Sequence, residues 1–240
     1  MKVSQIVYLT ETPFNQRDYN RFGLDVFKRH DLNVMVIDLT EYLDKDVFKN
    51  YILDENIVYP FVKKMDSFSK IKKFILETHK DTVFISFIGD SSFKSIRILN
   101  FLSKNNKEFG ILLSGLLPSS TSKLSLFDKL KLLSVKKLLR RVGKEVTKLL
   151  FYSYKYSFIV VSGKKSLDFI KNKYEFKNII QGHSFDYDLF LDSRLDKTFT
   201  LQDDYIVFLD EFFPFHPDYI AIGVDYSGYA KSYYKKLCNF

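Results

Sequence analysis

Apolar positions in this chain fall into two alternating rhythms. Short unbroken runs rich in Val, Ile and Leu recur as "SQIVYLT", "LNVMVIDLT", "DTVFISFIGD", "EFGILLSG", "YSFIVVSG" and "FKNIIQG". Runs of this kind suit parallel strands buried on both faces. Between them the spacing turns helical. Arg17 to His30 brings Tyr19, Phe22, Val26 and Phe27 to one side, and "SFSKIKKFILETHK", "SFKSIRILNFLSKNNK" and "KKSLDFIKNKY" repeat the pattern. The β-α-β-α order predicts an α/β protein, a Rossmann-like and mainly parallel sheet with helices on both faces.

Composition supports a folded chain. Of 240 residues, 46% are hydrophobic and 28% charged, which is a globular balance rather than a disordered one. Only 9 Gly and 5 Pro argue against long flexible linkers. Cys238 is the one cysteine, so neither an internal disulfide nor a cysteine metal site is expected. The start "MKVSQIVYLT" is too short an apolar run for a signal peptide, and no stretch approaches the roughly 18 apolar residues of a membrane span. A cytoplasmic location is the expectation.

Charge changes the picture more than composition does. The chain carries a formal net charge of +8, and residues 123–155 alone hold ten Lys or Arg against Asp128 and Glu145. The rest of the chain is close to neutral. In this segment Phe127, Leu130, Leu138, Val142 and Leu149 form one apolar row, with Lys136, Lys137, Arg140, Arg141 and Lys144 among the residues between. A basic amphipathic helix of this kind can lie on an anionic membrane, each cation adding up to about 1 kcal/mol. It can also be an ordinary solvated helix resting on the sheet. Nucleic acid is the weaker reading, because aromatics do not interleave with the basic residues before Phe151 and no nucleic-acid motif accompanies them.

In a parallel sheet, ligands meet the carboxyl ends of the strands. The exits here are "TETPFNQRD", "GDSS", "SGLLPSS", "SGKKS" and "QGHSFDYD"; none is a P-loop, and no GxGxxG occurs. Glu11, just past the first strand, is the first candidate for a catalytic base; it can equally bond its loop or cap the next helix. Asp90 is the second candidate, with helix capping as its alternative. Asn15 and Arg17 are candidates for contacting sugar or phosphate. His183, Asp186 and Asp188 cluster around Tyr187 and can bind substrate or hold a crossover turn. Their spacing is not that of a metal site.

The segments "IIQGHSFDYDLFLDSR", "DYIVFLDEFFPFHPDY" and "YYKKLCNF" resemble those of bacterial surface-polysaccharide (lipopolysaccharide or capsule) biosynthesis glycosyltransferases with the two-lobed GT-B organisation. The matching residues are His183, Ser184, Asp186, Tyr187 and Asp188, then Val207 to Asp210, Pro214, His216 to Asp218, and Tyr233 with Tyr234. The opening "IVYLTETPFNQRDYNRFG" is similar to an acceptor-side loop and first helix. The resemblance implies a GT-B N-terminal lobe over 1–200, and an interlobe segment with the start of a truncated second lobe over 201–240. It implies sugar transfer from a nucleotide-sugar, as substrate, to a lipid-linked glycan, without a bound cofactor or metal. Asp210 and Glu211, at an interlobe position where a hinge is the equal alternative, and His216 join the substrate-contact candidates on that ground, and the basic segment becomes a peripheral anchor on the inner face of the membrane. A non-catalytic glycan- or membrane-binding module is the alternative.

Overall fold

A computed structural model describes residues 2–50, 59–90, 92–113, 154–163, 166, 167, 170, 173–184, 187–195, 212–221 and 223–238. The strands are β1 (Gln5–Thr10), β2 (Asn33–Asp38), β3 (Val62–Lys64), β4 (Thr82–Ser86), β5 (Glu108–Leu113), β6 (Tyr156–Ser162) and β7 (Phe176–Gly182). They form a seven-stranded sheet in the order β3-β2-β1-β4-β5-β6-β7, and every pairing is parallel. The expected Rossmann-like α/β architecture is present.

The central strand shows why the apolar runs are continuous. Val7 and Leu9 of β1 point into one core with Ile37 and Phe84. Ile6 and Tyr8 point into the other with Val34, Val36 and Ile85. Both sets must be apolar because both faces are covered. Helices α5 (Phe68–Glu77) and α6 (Phe93–Lys104) cover the first face with Ile71, Ile75, Ile96, Leu99 and Leu102. Helices α1 (Gln16–Arg21) and α2 (Leu24–Arg29) cover the second with Phe22, Leu24 and Phe27.

The single helix expected over Arg17–His30 is two helices. Gly23 has φ +68, in the left-handed region that ends one helix before another begins. Three further elements lie where the apolar pattern gave no sign. Helices α3 (Thr40–Leu43) and α4 (Lys45–Asn50) are short, and β3 has one apolar residue, Val62, followed by Lys63 and Lys64. α4 is nucleated by Asp44, whose Oδ1 accepts the Asp46 and Val47 N–H groups at 3.0 and 3.1 Å.

Beyond β7 come α7 (Tyr187–Leu195), α8 (Pro217–Ala221), a 3₁₀ turn at Ser227–Tyr229, and α9 (Ala230–Leu237). α8 packs on α4, where Asn50 Nδ2 donates to the Ala221 carbonyl at 3.4 Å. The segment "YIVFLD" at 205–210 and residues 123–153 of the basic segment lie outside the described residues.

Candidate functional site at the sheet's switch point

The strand order turns between β1 and β4: from β1 the chain steps outward to β2 and β3, and from β4 it steps the other way. At such a point two successive crossovers diverge to opposite faces and leave a crevice at the carboxyl ends. The β1 exit begins with Glu11 and the β4 exit contains Gly89 and Asp90. Glu11 Oε2 accepts the Gly89 N–H at 2.9 Å, so one carboxylate spans the crevice between the two loops. Oε1 has no hydrogen-bond partner among the described residues. The two candidate bases thus lie on adjoining loops, with Asp90 one residue beyond the Gly89 contact and its carboxylate within electrostatic reach of Lys173.

Beneath them sit polar groups that sequence reasoning missed. Thr10, Asp38 and Ser86 close β1, β2 and β4, three adjacent strands, and are 2%, 2% and 3% exposed. Thr10 and Asp38 are register partners, and Ser86 is paired with Leu9 one residue earlier. Asp38 Oδ1 accepts both the N–H and the hydroxyl of Thr40, at 2.9 and 2.5 Å, which starts α3. Asp38 Oδ2, Thr10 Oγ1 and Ser86 Oγ have no hydrogen-bond partner among the described residues. Buried polar atoms without partners cost about 1–3 kcal/mol each, so a row of them at the carboxyl edge of the sheet marks this edge as the candidate site. The signal in the sequence was a polar residue closing each of three apolar runs.

Several candidates have structural work instead. Asn15 is the N-cap of α1, its Oδ1 accepting the Asp18 N–H at 3.1 Å. Burial raises the Asp18 carboxyl above the usual range, opposed by a hydrogen bond to its carboxylate from the Asn15 backbone and by Arg17 and Arg21. Arg17 itself is exposed on α1. The cap of α6 is Ser92, whose hydroxyl accepts the Ser95 N–H at 3.1 Å, so capping is not Asp90's task.

His183 and Asp188 do come together, Nε2 to Oδ1 at 3.8 Å, with the imidazole 4.8 Å from the Tyr187 ring. They stand at the exit of β7, four strands from β1, which at ~4.8 Å per strand is roughly 20 Å away along the sheet edge. His216 Nδ1 accepts the Asp218 N–H at 3.2 Å and so opens α8. Asp186, Asp210, Glu211, Lys136, Lys137, Arg140, Arg141 and Lys144 lie outside the described residues.

Among the described residues no three His, Cys, Asp or Glu side chains gather as a metal site requires. No described helix is long and apolar enough to cross a membrane. Comparison with protein-family models, with curated proteins and with solved structures gave no match in any of the three.

Proposed function

We propose that this chain is the acceptor-side lobe of a GT-B glycosyltransferase that moves a sugar from a nucleotide-sugar to a lipid-linked glycan of a bacterial surface polysaccharide. The observation that carries the reading is the Glu11 carboxylate bridging the β1 and β4 exits above the buried Thr10, Asp38 and Ser86. An inverting transfer needs a base on the acceptor hydroxyl, and Glu11 Oε1 is the atom we assign to it. The hydroxyl oxygen attacks the anomeric carbon, its proton passes to Glu11, and the nucleotide diphosphate leaves with the bonding electrons. Gly89 N–H holds the carboxylate in place through the other oxygen. Asp90 is the second candidate, one residue away.

The resemblance of residues 182–219 to polysaccharide glycosyltransferases supports the sugar assignment. The basic segment 123–155 supports a peripheral position on an anionic membrane, where lipid-linked acceptors reside. The test is transfer of radiolabel from a panel of nucleotide-sugars to a bacterial membrane fraction. Activity with one donor, reduced at least about a hundredfold in Glu11→Gln, is the expected result. Transfer that survives Glu11→Gln intact removes Glu11 as the base. Glycan retention with no transfer from any donor favours the non-catalytic binding lobe.

A further inference from the structure

Residues 212–238 hold a hollow of about 300 Å³ lined by Phe213, Tyr226, Tyr229, Ser232, Tyr233 and Lys236. None of these residues belongs to a strand exit. Phe213 is the hub of the rings, with centroids 5.1 Å from Tyr226 and 5.4 Å from Tyr233. Tyr229 stands at the rim, 64% exposed, its centroid 6.3 Å from Tyr226.

The angles between these rings decide what shape fits. Phe213 meets Tyr226 at 41° and Tyr233 at 67°, and Tyr226 meets Tyr229 at 59°. None of these pairs makes the parallel slot that would clamp a flat base on both faces. Walls set at angles suit a puckered ring that presents C–H groups in several directions. The faces of aromatic rings are electron-rich and attract the polarised C–H bonds of such a ring. Ser232 is turned to the backbone, donating to the Tyr229 carbonyl at 2.9 Å.

Charge selects further. Helix α9, "AKSYYKKL", carries Lys231, Lys235 and Lys236 and no acid. The described acids of residues 212–238 are Asp218, whose Oδ2 lies 3.7 Å from His216 Nδ1, and Asp225, whose Oδ1 is engaged by the Ser227 N–H at 2.8 Å. Lys236 has no ion-pair partner among the described residues. A cation at the edge of an aromatic hollow favours an anionic substituent on the ring it holds.

We propose that this hollow is a carbohydrate site for one pyranose ring bearing a carboxylate, a hexuronate, stacked on the tyrosine and phenylalanine faces with its carboxylate on Lys236. The site is separate from the Glu11 crevice, and a lobe without turnover would carry it equally.

The test is saturation-transfer NMR on the 240-residue chain with methyl β-glucuronide, methyl β-glucoside and uridine monophosphate as probes. The expected result is transfer to the ring protons of the glucuronide, lost in Tyr229→Ala. Lys236→Gln should weaken the glucuronide roughly tenfold and leave the neutral glucoside unchanged. Both side chains are exposed, so each variant should keep the wild-type circular dichroism. Absence of transfer to the glucuronide overturns the proposal, as does transfer unaltered in both variants. Binding of uridine monophosphate with the same residue dependence, and no glucuronide binding, makes the hollow a nucleotide site instead. Glu11→Gln should bind the glucuronide normally, which keeps this result distinct from the outcome of the transfer assay.

Discussion

Two parts of this molecule are built from the same aromatic residues and use them in opposite ways. On one face of the sheet Tyr8, Phe14, Phe22, Phe61 and Phe87 close on one another, with Phe22 and Phe87 stacked at 4.1 Å and Tyr8 fully enclosed. In residues 212–238, Phe213, Tyr226, Tyr229 and Tyr233 meet at angles of 41°, 59° and 67° around an open hollow. The difference lies beneath the rings. The first set has β1 and β4 as a floor, so each ring buries area on the sheet and on its neighbours. The second rests on short helices that cannot cover it. An aromatic residue is a core residue only where regular structure supplies a second layer.

The comparison breaks first at Tyr8. Tyr8→Ala should cost about 4 kcal/mol by urea denaturation, because it empties a fully enclosed volume; a loss under about 1 kcal/mol would mean that the cluster is not a core. Next comes Gly110, where an added Cβ would meet the Phe158 ring and carbonyl at 2.5 Å. Gly110→Ala should cost about 2 kcal/mol by overpacking β5 against β6, and a neutral result would show slack in that half of the sheet. Tyr8→Phe removes only the hydroxyl that donates to the Phe22 carbonyl at 2.6 Å. It should cost about 1 kcal/mol, and its gap from Tyr8→Ala measures packing against hydrogen bonding. In the open region Tyr229→Ala should change stability by less than about 0.5 kcal/mol, sharpening the contrast between the two sets.

The smallest effect belongs to Asp18, at the edge of the closed cluster. Burial raises its carboxyl pKa above the unfolded value, with the hydrogen bond from the Asn15 backbone and with Arg17 and Arg21 acting against the shift. The folded state therefore holds the proton more tightly, and stability falls as pH rises from the ordinary aspartate range through the raised one. Asp18→Asn should remove that slope and melt slightly higher at neutral pH. Melting curves across the acid range check both, and an unchanged slope would discard the assignment.

The sequence made the central strands legible because β1, β2 and β4 are buried on both faces and leave unbroken apolar runs. β3 was invisible for the complementary reason: an edge strand of three residues with two lysines carries no such run. The apolar spacing over 17–30 carries no sign of the break, since Gly23 looks like any helical glycine until its φ is known. The strand exits were legible as places, and the bridge from Glu11 to Gly89 was not, because it joins residues 78 apart. In the sequence Thr10, Asp38 and Ser86 look like ordinary strand ends. What marks them is the lack of a partner, which only the folded neighbourhood reveals.

The two lysines of β3 also bear on how copies of this protein meet. A parallel sheet ends in a row of backbone donors and acceptors that invites another strand, and among the described residues β3 is such an end. Lys63 and Lys64 are both exposed there. A second copy approaching edge to edge would bring its own pair against them, and like-charge repulsion would build before the first inter-strand bond could close. In a crowded cell, where chance encounters between copies are constant, that repulsion guards this margin against runaway self-association.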